Sequence, residues 1–222
     1  MISKLPKWVE SGAFILSFVA GYINSIGLLG FEHKAVSHLS GTATLLGINL
    51  INDTLASTFH ILLILLSFLV GATLSGFLIR SSALKLGRHY DTALFLEAVL
   101  ILISIPLLSK NNFIGHYVIS AACGLQNALA TSYSGAIIRT THLTGIFTDL
   151  GILIGAKLRG EVFDKRKFFL FLLIISGFIF GGSSGAYFYY QFQFLSLFLP
   201  TLICVFIAFS YRIYSQKSVN CT

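Results

Sequence analysis

The sequence predicts an all-α polytopic membrane protein: six transmembrane helices plus two short membrane-embedded or re-entrant segments, built as a 3+3 inverted repeat. Three observations lead there. Of 222 residues, 55% are hydrophobic and only 10% charged, where a soluble domain of this size carries about a quarter charged. Apolar runs recur at lengths suited to a hydrocarbon core of roughly 30 Å. A twelve-residue stretch occurs twice, near the starts of two related halves.

The apolar runs are Ser11–Gly30, Ile61–Ile79, Thr92–Leu108, Phe113–Ser132, Phe168–Tyr189 and Leu195–Tyr211. The first follows Lys4 and Lys7 and continues to Gly30 without a small-residue cleavage site, which favours a retained span over a signal peptide. Two further segments, Ser37–Asp53 and Thr141–Lys157, are shorter and more polar. Seventeen helical residues reach only about 25 Å, so each is marginal as a full crossing.

Charge decides between six crossings and eight. With six and a cytoplasmic N-terminus, 13 Lys and Arg residues fall inside and only Lys34 and Lys110 outside. With eight, Lys34, Arg80, Lys85, Arg88 and Arg139 all lie outside, a split of 10 to 5. The positive-inside rule prefers six. The N- and C-termini are then cytoplasmic, Trp8 marks the inner interface, and the run from Tyr187 to Phe194 forms an outer aromatic belt. The net charge of +7 therefore reflects topology. No basic patch is interleaved with base-stacking aromatics, so no nucleic-acid partner is expected.

In the repeat, Ser37-His38-Leu39-Ser40-Gly41-Thr42-Ala43-Thr44-Leu45-Leu46-Gly47-Ile48 aligns without a gap on Thr141-His142-Leu143-Thr144-Gly145-Ile146-Phe147-Thr148-Asp149-Leu150-Gly151-Ile152. Seven of the twelve positions are identical and two more exchange Ser for Thr. Upstream, Gly21-Tyr22-Ile23-Asn24 answers Gly124-Leu125-Gln126-Asn127. Downstream, Gly71-Ala72 with Ser75-Gly76 answers Gly181-Gly182 with Gly185-Ala186, small-residue patterns that let helices approach closely in lipid. The chain is thus a single membrane domain, 1–222, with repeat halves of about 11–108 and 113–211. Three crossings per half is an odd number, so the second half enters from the opposite side. Inverted halves with a short, Gly-interrupted segment at corresponding positions are a recurrent build of secondary transporters.

The motifs Ala20-Gly21-Tyr22-Ile23-Asn24, Val36–Gly41, Gly124–Asn127, Arg139–Gly145 and Thr148–Gly151 resemble the YoaK-like family of uncharacterised membrane proteins, over essentially the whole chain. The resemblance implies a bacterial inner (plasma) membrane protein and brings no substrate. Two places depart from the family pattern, which often has Asp at Asn24 and Thr-Gly-Asn at Ser40-Gly41-Thr42.

His38 and His142 open the two short segments. Ser40 or Thr144 is expected to cap a helix there, with Gly41 or Gly145 giving close access to N–H groups able to hold an anion. The bland alternative is capping and tight packing. Asp149, within the second segment, is an acid in a membrane region and therefore a functional candidate, against a structural pair with Arg139 or Lys157. Glu97, in the third span, is weighed evenly against a hydrogen bond across the bundle. Asn24, Gln126 and Asn127 are read first as inter-helix hydrogen bonds and second as substrate contacts. Asp53 and His60 are expected to be solvated.

The expected function is a secondary transporter or channel-like carrier of a small polar or anionic solute. Its pathway would lie where the short segments meet, lined by His38, Ser40, Thr44, His142, Thr144, Thr148, Asp149, Asn24 and Asn127. Asp149 or Glu97 would couple an ion. The alternative is a non-transporting scaffold or accessory subunit. An enzyme is not expected. Gly182-Ser183-Ser184-Gly185 fits the GxSG of intramembrane serine proteases, but no His follows His142 to serve as base. Cys123, Cys204 and Cys221 form no CxxC or His-flanked cluster, so neither a metal nor a cofactor is expected. The partners expected are the lipid bilayer and a small-molecule solute, with a homo-oligomer left open.

Overall fold

The computed structural model describes residues 8–30, 36–52, 54–79, 89–134 and 138–219. Lys4, Lys7, Lys34, Asp53, Arg80, Lys85, Arg88 and Cys221 lie outside the described residues. Among the described residues the secondary structure is entirely helical: α1 (Trp8–Leu29), α2 (Leu39–Asn52), α3 (Leu55–Leu78), α4 (Tyr90–Ser109), α5 (Phe113–Ser134), α6 (Leu143–Leu158), α7 (Lys165–Phe192) and α8 (Phe198–Val219). A 3-10 turn, Gln193–Leu197, joins the last two.

The helix ends follow from local chemistry. Thr54 caps α3 by accepting from the Ser57 N–H, and Asp164 caps α7 by accepting from that of Lys167. Between α4 and α5, Asn111 takes a φ of 52°, a left-handed conformation that Asn tolerates better than most residues. Asn112 then caps the next helix, accepting from the Ile114 N–H at 3.0 Å.

Each of the six long apolar runs expected from the sequence lies on a long helix. Among the described residues four stretches are long and apolar enough to cross a membrane: Trp8–Leu29, Leu55–Leu78, Tyr90–Ser109 and Lys165–Ile213, the last spanning α7 and most of α8. The helix α5 is not among them, since His116, Gln126 and Asn127 dilute its apolar run. It is instead an interior helix, with both His116 and Gln126 buried. Outward faces are apolar, as on α3 (Leu66, Leu69, Phe77) and α8 (Leu202, Phe206, Phe209). Long apolar helices with apolar outer faces are compatible with an integral membrane protein.

Helix pairing is close and ordered. The helix α1 packs on α7, α3 packs on α5, and α4 packs on both α5 and α8. Phe14, Phe18 and Tyr22 present backbone carbonyls to Gly177, Gly181 and Gly185 in step, so α1 and α7 run in the same direction. Likewise His60 meets Tyr117, the Ile64 carbonyl accepts from Ser120, and the Phe68 carbonyl meets Gly124, so α3 runs with α5. At several positions the backbones leave no room for a side chain. A Cβ added at Gly21 would overlap the Phe178 carbonyl, and one at Gly181 that of Phe18; Gly124 stands so against Phe68 and Gly71 against Ala121. Glycine is required there for the approach itself.

The core forms two clusters along these contacts. One part gathers Tyr90, Leu125, Leu129, Phe171 and Ile174, the other Tyr22, Ile101, Ile119, Cys123 and Leu197. The Tyr22 hydroxyl donates to the Ser196 carbonyl at 3.0 Å, fastening the 3-10 turn to α1.

Candidate functional site

Val36 and Ser37 lie inside the bundle. The Val36 carbonyl accepts from the Ser120 hydroxyl at 3.2 Å, about two turns into α5. Ser37 follows, buried, and donates to the Asn24 amide oxygen at 2.8 Å. The short helix α2 therefore starts from inside the bundle and runs outward, packing on α3. Asn49 meets its neighbour through an amide hydrogen bond to Ser57 at 2.9 Å. The His38 imidazole turns its edge to the Phe178 ring, with centroids 5.4 Å apart. Ser40 and Thr44 are exposed on the opposite side of α2 from buried Thr42. The first motif is thus engaged largely in packing.

The second motif is arranged differently. Arg139, His142, Thr144, Gly145, Ile146, Thr148 and Asp149 line one open cleft of about 460 Å³ at the start of α6. His142 is the N-cap residue, and no side chain caps the helix. Neither Thr144 nor Ser40 therefore caps its helix, contrary to the expectation. Both lie inside the first turn, and their carbonyls accept from Thr148 and Thr44 at 2.9 and 3.0 Å. The first-turn N–H groups of α6 are left for the cleft. An added Cβ at Gly145 would strike the His142 ring, so the glycine lets the imidazole lie over the helix start. At Gly41 nothing lies within 4 Å, and the His38 ring is turned away.

The charges of the cleft are not cancelled by pairing. Asp149 makes no ion pair among the described residues. The expected partners are otherwise placed: Arg139 shares the cleft, and Lys157 Nζ stands 4.7 Å from the centre of the Phe163 ring. One residue supplies positive charge, one negative, and a helix N-terminus adds a partial positive charge. An anion or a zwitterion could be held there.

Asn127 and Asn24 answer each other in sequence, but their oxygens differ. That of Asn24 accepts from Ser37, whereas Asn127 Oδ1 is buried without a partner, as is Thr140 Oγ1. Gln126 ties α5 to α1 through its Nε2, which donates to the Leu16 carbonyl at 3.1 Å. Glu97 lies elsewhere, fully buried where α4 meets α5 and α8. The Cys204 thiol is the hydrogen-bonding group that faces its carboxyl, and the Cys123 thiol is the other ionisable group nearby. The candidate residues therefore fall into three places. The two short helices are not brought together in one cavity, because α2 packs on α3 and α6 on α7.

A family model described as "Protein of unknown function (DUF1275)" matches residues 12–210. The chain belongs to the DUF1275 family. The match runs from α1 into α8 and takes in both His-hydroxyl-Gly segments. No curated protein and no solved structure matches the chain.

Two features of this DUF1275 chain are not legible in its sequence. Arg139 reads there as a topological charge and a possible pair for Asp149, and only its place three residues before His142 signals a role in the cleft. His60, expected in solvent, is 7% exposed and its Nδ1 lies 2.8 Å from the Tyr117 hydroxyl. A polar residue that starts a long apolar helix gives no sign of which neighbour will cover it.

Proposed function

We propose that this DUF1275 protein is a small secondary transporter for a small anionic or zwitterionic solute, with six spans in two inverted halves. One observation carries the reading. Four residues picked out by the repeat, His142, Thr144, Thr148 and Asp149, converge with Arg139 on one polar cleft at an uncapped helix start. Arg139 and the free N–H groups of α6 attract the anionic part of the solute. Asp149 receives a cationic part, or a proton or cation that travels with it.

The glycine contacts support the inverted halves. The Gly21–Phe178 approach has its counterpart in Gly124–Phe68, and Gly181–Phe18 in Gly71–Ala121. Each half's first helix thus packs on the other half's long third helix, as a two-fold exchange requires. An ion pair between Glu10 and Arg166, 2.8 Å, joins the starts of α1 and α7, as expected if both start on the cytoplasmic side. The bacterial inner membrane and cytoplasmic termini belong to the same proposal. They rest on the charge pattern and on the family resemblance.

The two halves also suggest the cycle. The first motif is closed, with Ser37 bonded to Asn24, and the second is open, with Asn127 Oδ1 unpartnered. Exchanging these arrangements would close the second cleft and open its counterpart beside Ser40 and Thr44, on the other side of the membrane.

The packed state of the first motif favours a second reading, in which the polar residues only specify the bundle and the protein is a scaffold. The readings separate in proteoliposomes. Ligand-induced thermal shifts across inorganic anions, carboxylates and amino acids choose a solute, and its labelled form is then followed into vesicles. Transport is expected in the native protein and absent in Arg139→Gln and Asp149→Asn variants that fold normally. Vesicles inert to every solute that binds, and to every one tried, would favour the scaffold.

A further inference from the structure

A second cavity, of about 770 Å³, lies between α1 and α8, and its walls are almost wholly apolar. It runs from Trp8 to Phe18 along α1 and from Leu202 to Tyr211 along α8. At the helical rise these stretches span roughly 15 and 13 Å, the depth of one leaflet in a core of about 30 Å. At the symmetry-related seam α4 packs directly on α5, so that seam is filled by side chains. Between α1 and α8 it is not.

The open end has the character of a membrane interface. Trp8 and Tyr90 stand at the starts of α1 and α4, and the Tyr90 ring meets that of Tyr211 near the far end of α8, with centroids 6.0 Å apart. Aromatic side chains of this kind sit at headgroup level. Two exposed cations directly follow lining residues: Arg139 after Ile138, and Arg212 after Tyr211. An occupant must therefore be apolar over one leaflet's depth and anionic at the interface. We propose that the α1/α8 cleft binds one acyl chain of an anionic phospholipid, whose headgroup is held by Arg139 and Arg212. The lipid completes the bundle at the α1/α8 seam, whose α4/α5 counterpart is closed by protein.

The chain contains a single tryptophan, Trp8, and it lines the cleft, so its fluorescence reports occupancy. The full-length protein, reconstituted in phosphatidylcholine vesicles, is titrated with phosphatidylglycerol or phosphatidylcholine carrying brominated chains. Brominated phosphatidylglycerol is expected to quench Trp8 at a several-fold lower mole fraction than brominated phosphatidylcholine, and added salt narrows the gap. Arg212→Gln, an exposed change, should reduce the preference, and Arg139→Gln likewise. Gly12→Leu places a side chain where an added Cβ meets nothing within 4 Å, and it should reduce quenching by both lipids. Equal quenching by the two lipids in the native protein overturns the proposal. So does a preference unchanged in both arginine variants, or a dimer on cross-linking that shields Trp8 from either lipid.

Discussion

The Ser37 hydroxyl donates a 2.8 Å hydrogen bond to the Asn24 amide oxygen, and the residues answering them, Thr141 and Asn127, make no such bond. Two segments of nearly the same sequence thus stand in different states within one molecule. The asymmetry bears on stability as well as on function.

Replacing Ser37 with Ala removes the donor and leaves a buried amide oxygen unsatisfied, at a cost of about 1–3 kcal/mol. Thr141→Ala breaks no corresponding bond and should cost well under 1 kcal/mol by the same reasoning. Thermal or denaturant unfolding in detergent measures both. Equal losses would mean that the two halves are equally bonded.

The glycine approaches predict a sharp contrast within one residue type. Gly124→Val sets a branched side chain against the Phe68 carbonyl and should destabilise by about 3 kcal/mol or more, because backbone cannot yield as a side chain does. At Gly76 an added Cβ meets nothing within 4 Å, so Gly76→Ala should be neutral or stabilise α3 by up to about 1 kcal/mol. Melting temperatures of the two variants decide the point.

Among the described residues Asp149 has no ion-pair partner to lose. Asp149→Asn is expected to leave unfolding within about 0.5 kcal/mol of the native protein while abolishing flux in vesicles. Glu10→Gln breaks the half-exposed pair with Arg166 and should cost no more than about 1 kcal/mol with flux retained. A large stability loss at Asp149 would assign it a structural role.

Glu97 is fully buried, and only the Cys204 thiol stands ready to hydrogen-bond its carboxyl group. Glu97→Gln keeps the volume and removes the capacity to ionise, so stability should hold or rise. If Glu97 couples the transported ion, flux under a pH gradient falls in this variant while solute exchange at equal pH persists. The pair of flux assays separates that role from packing alone.

Much of this architecture was legible beforehand, for reasons particular to lipid. Apolar runs must satisfy their backbone groups internally, so their lengths alone predicted where the long helices lie, from α1 to α8. The repeated His-hydroxyl-Gly motif, being local, could be found by alignment, and it led to the residues of the cleft at α6. Composition did not predict that α5, with its amides and His116, would be an interior helix. Nor did the sequence tell which carbonyl each glycine meets, since that depends on the register of helices far apart in the chain. The difference between the two motifs was equally hidden. Their sequences nearly agree, and only the surrounding helices decide that Asn24 finds Ser37 while Asn127 Oδ1 finds no partner. Tertiary packing selects one arrangement for each copy, because a hydrogen bond forms only where neighbouring backbones bring donor and acceptor within reach.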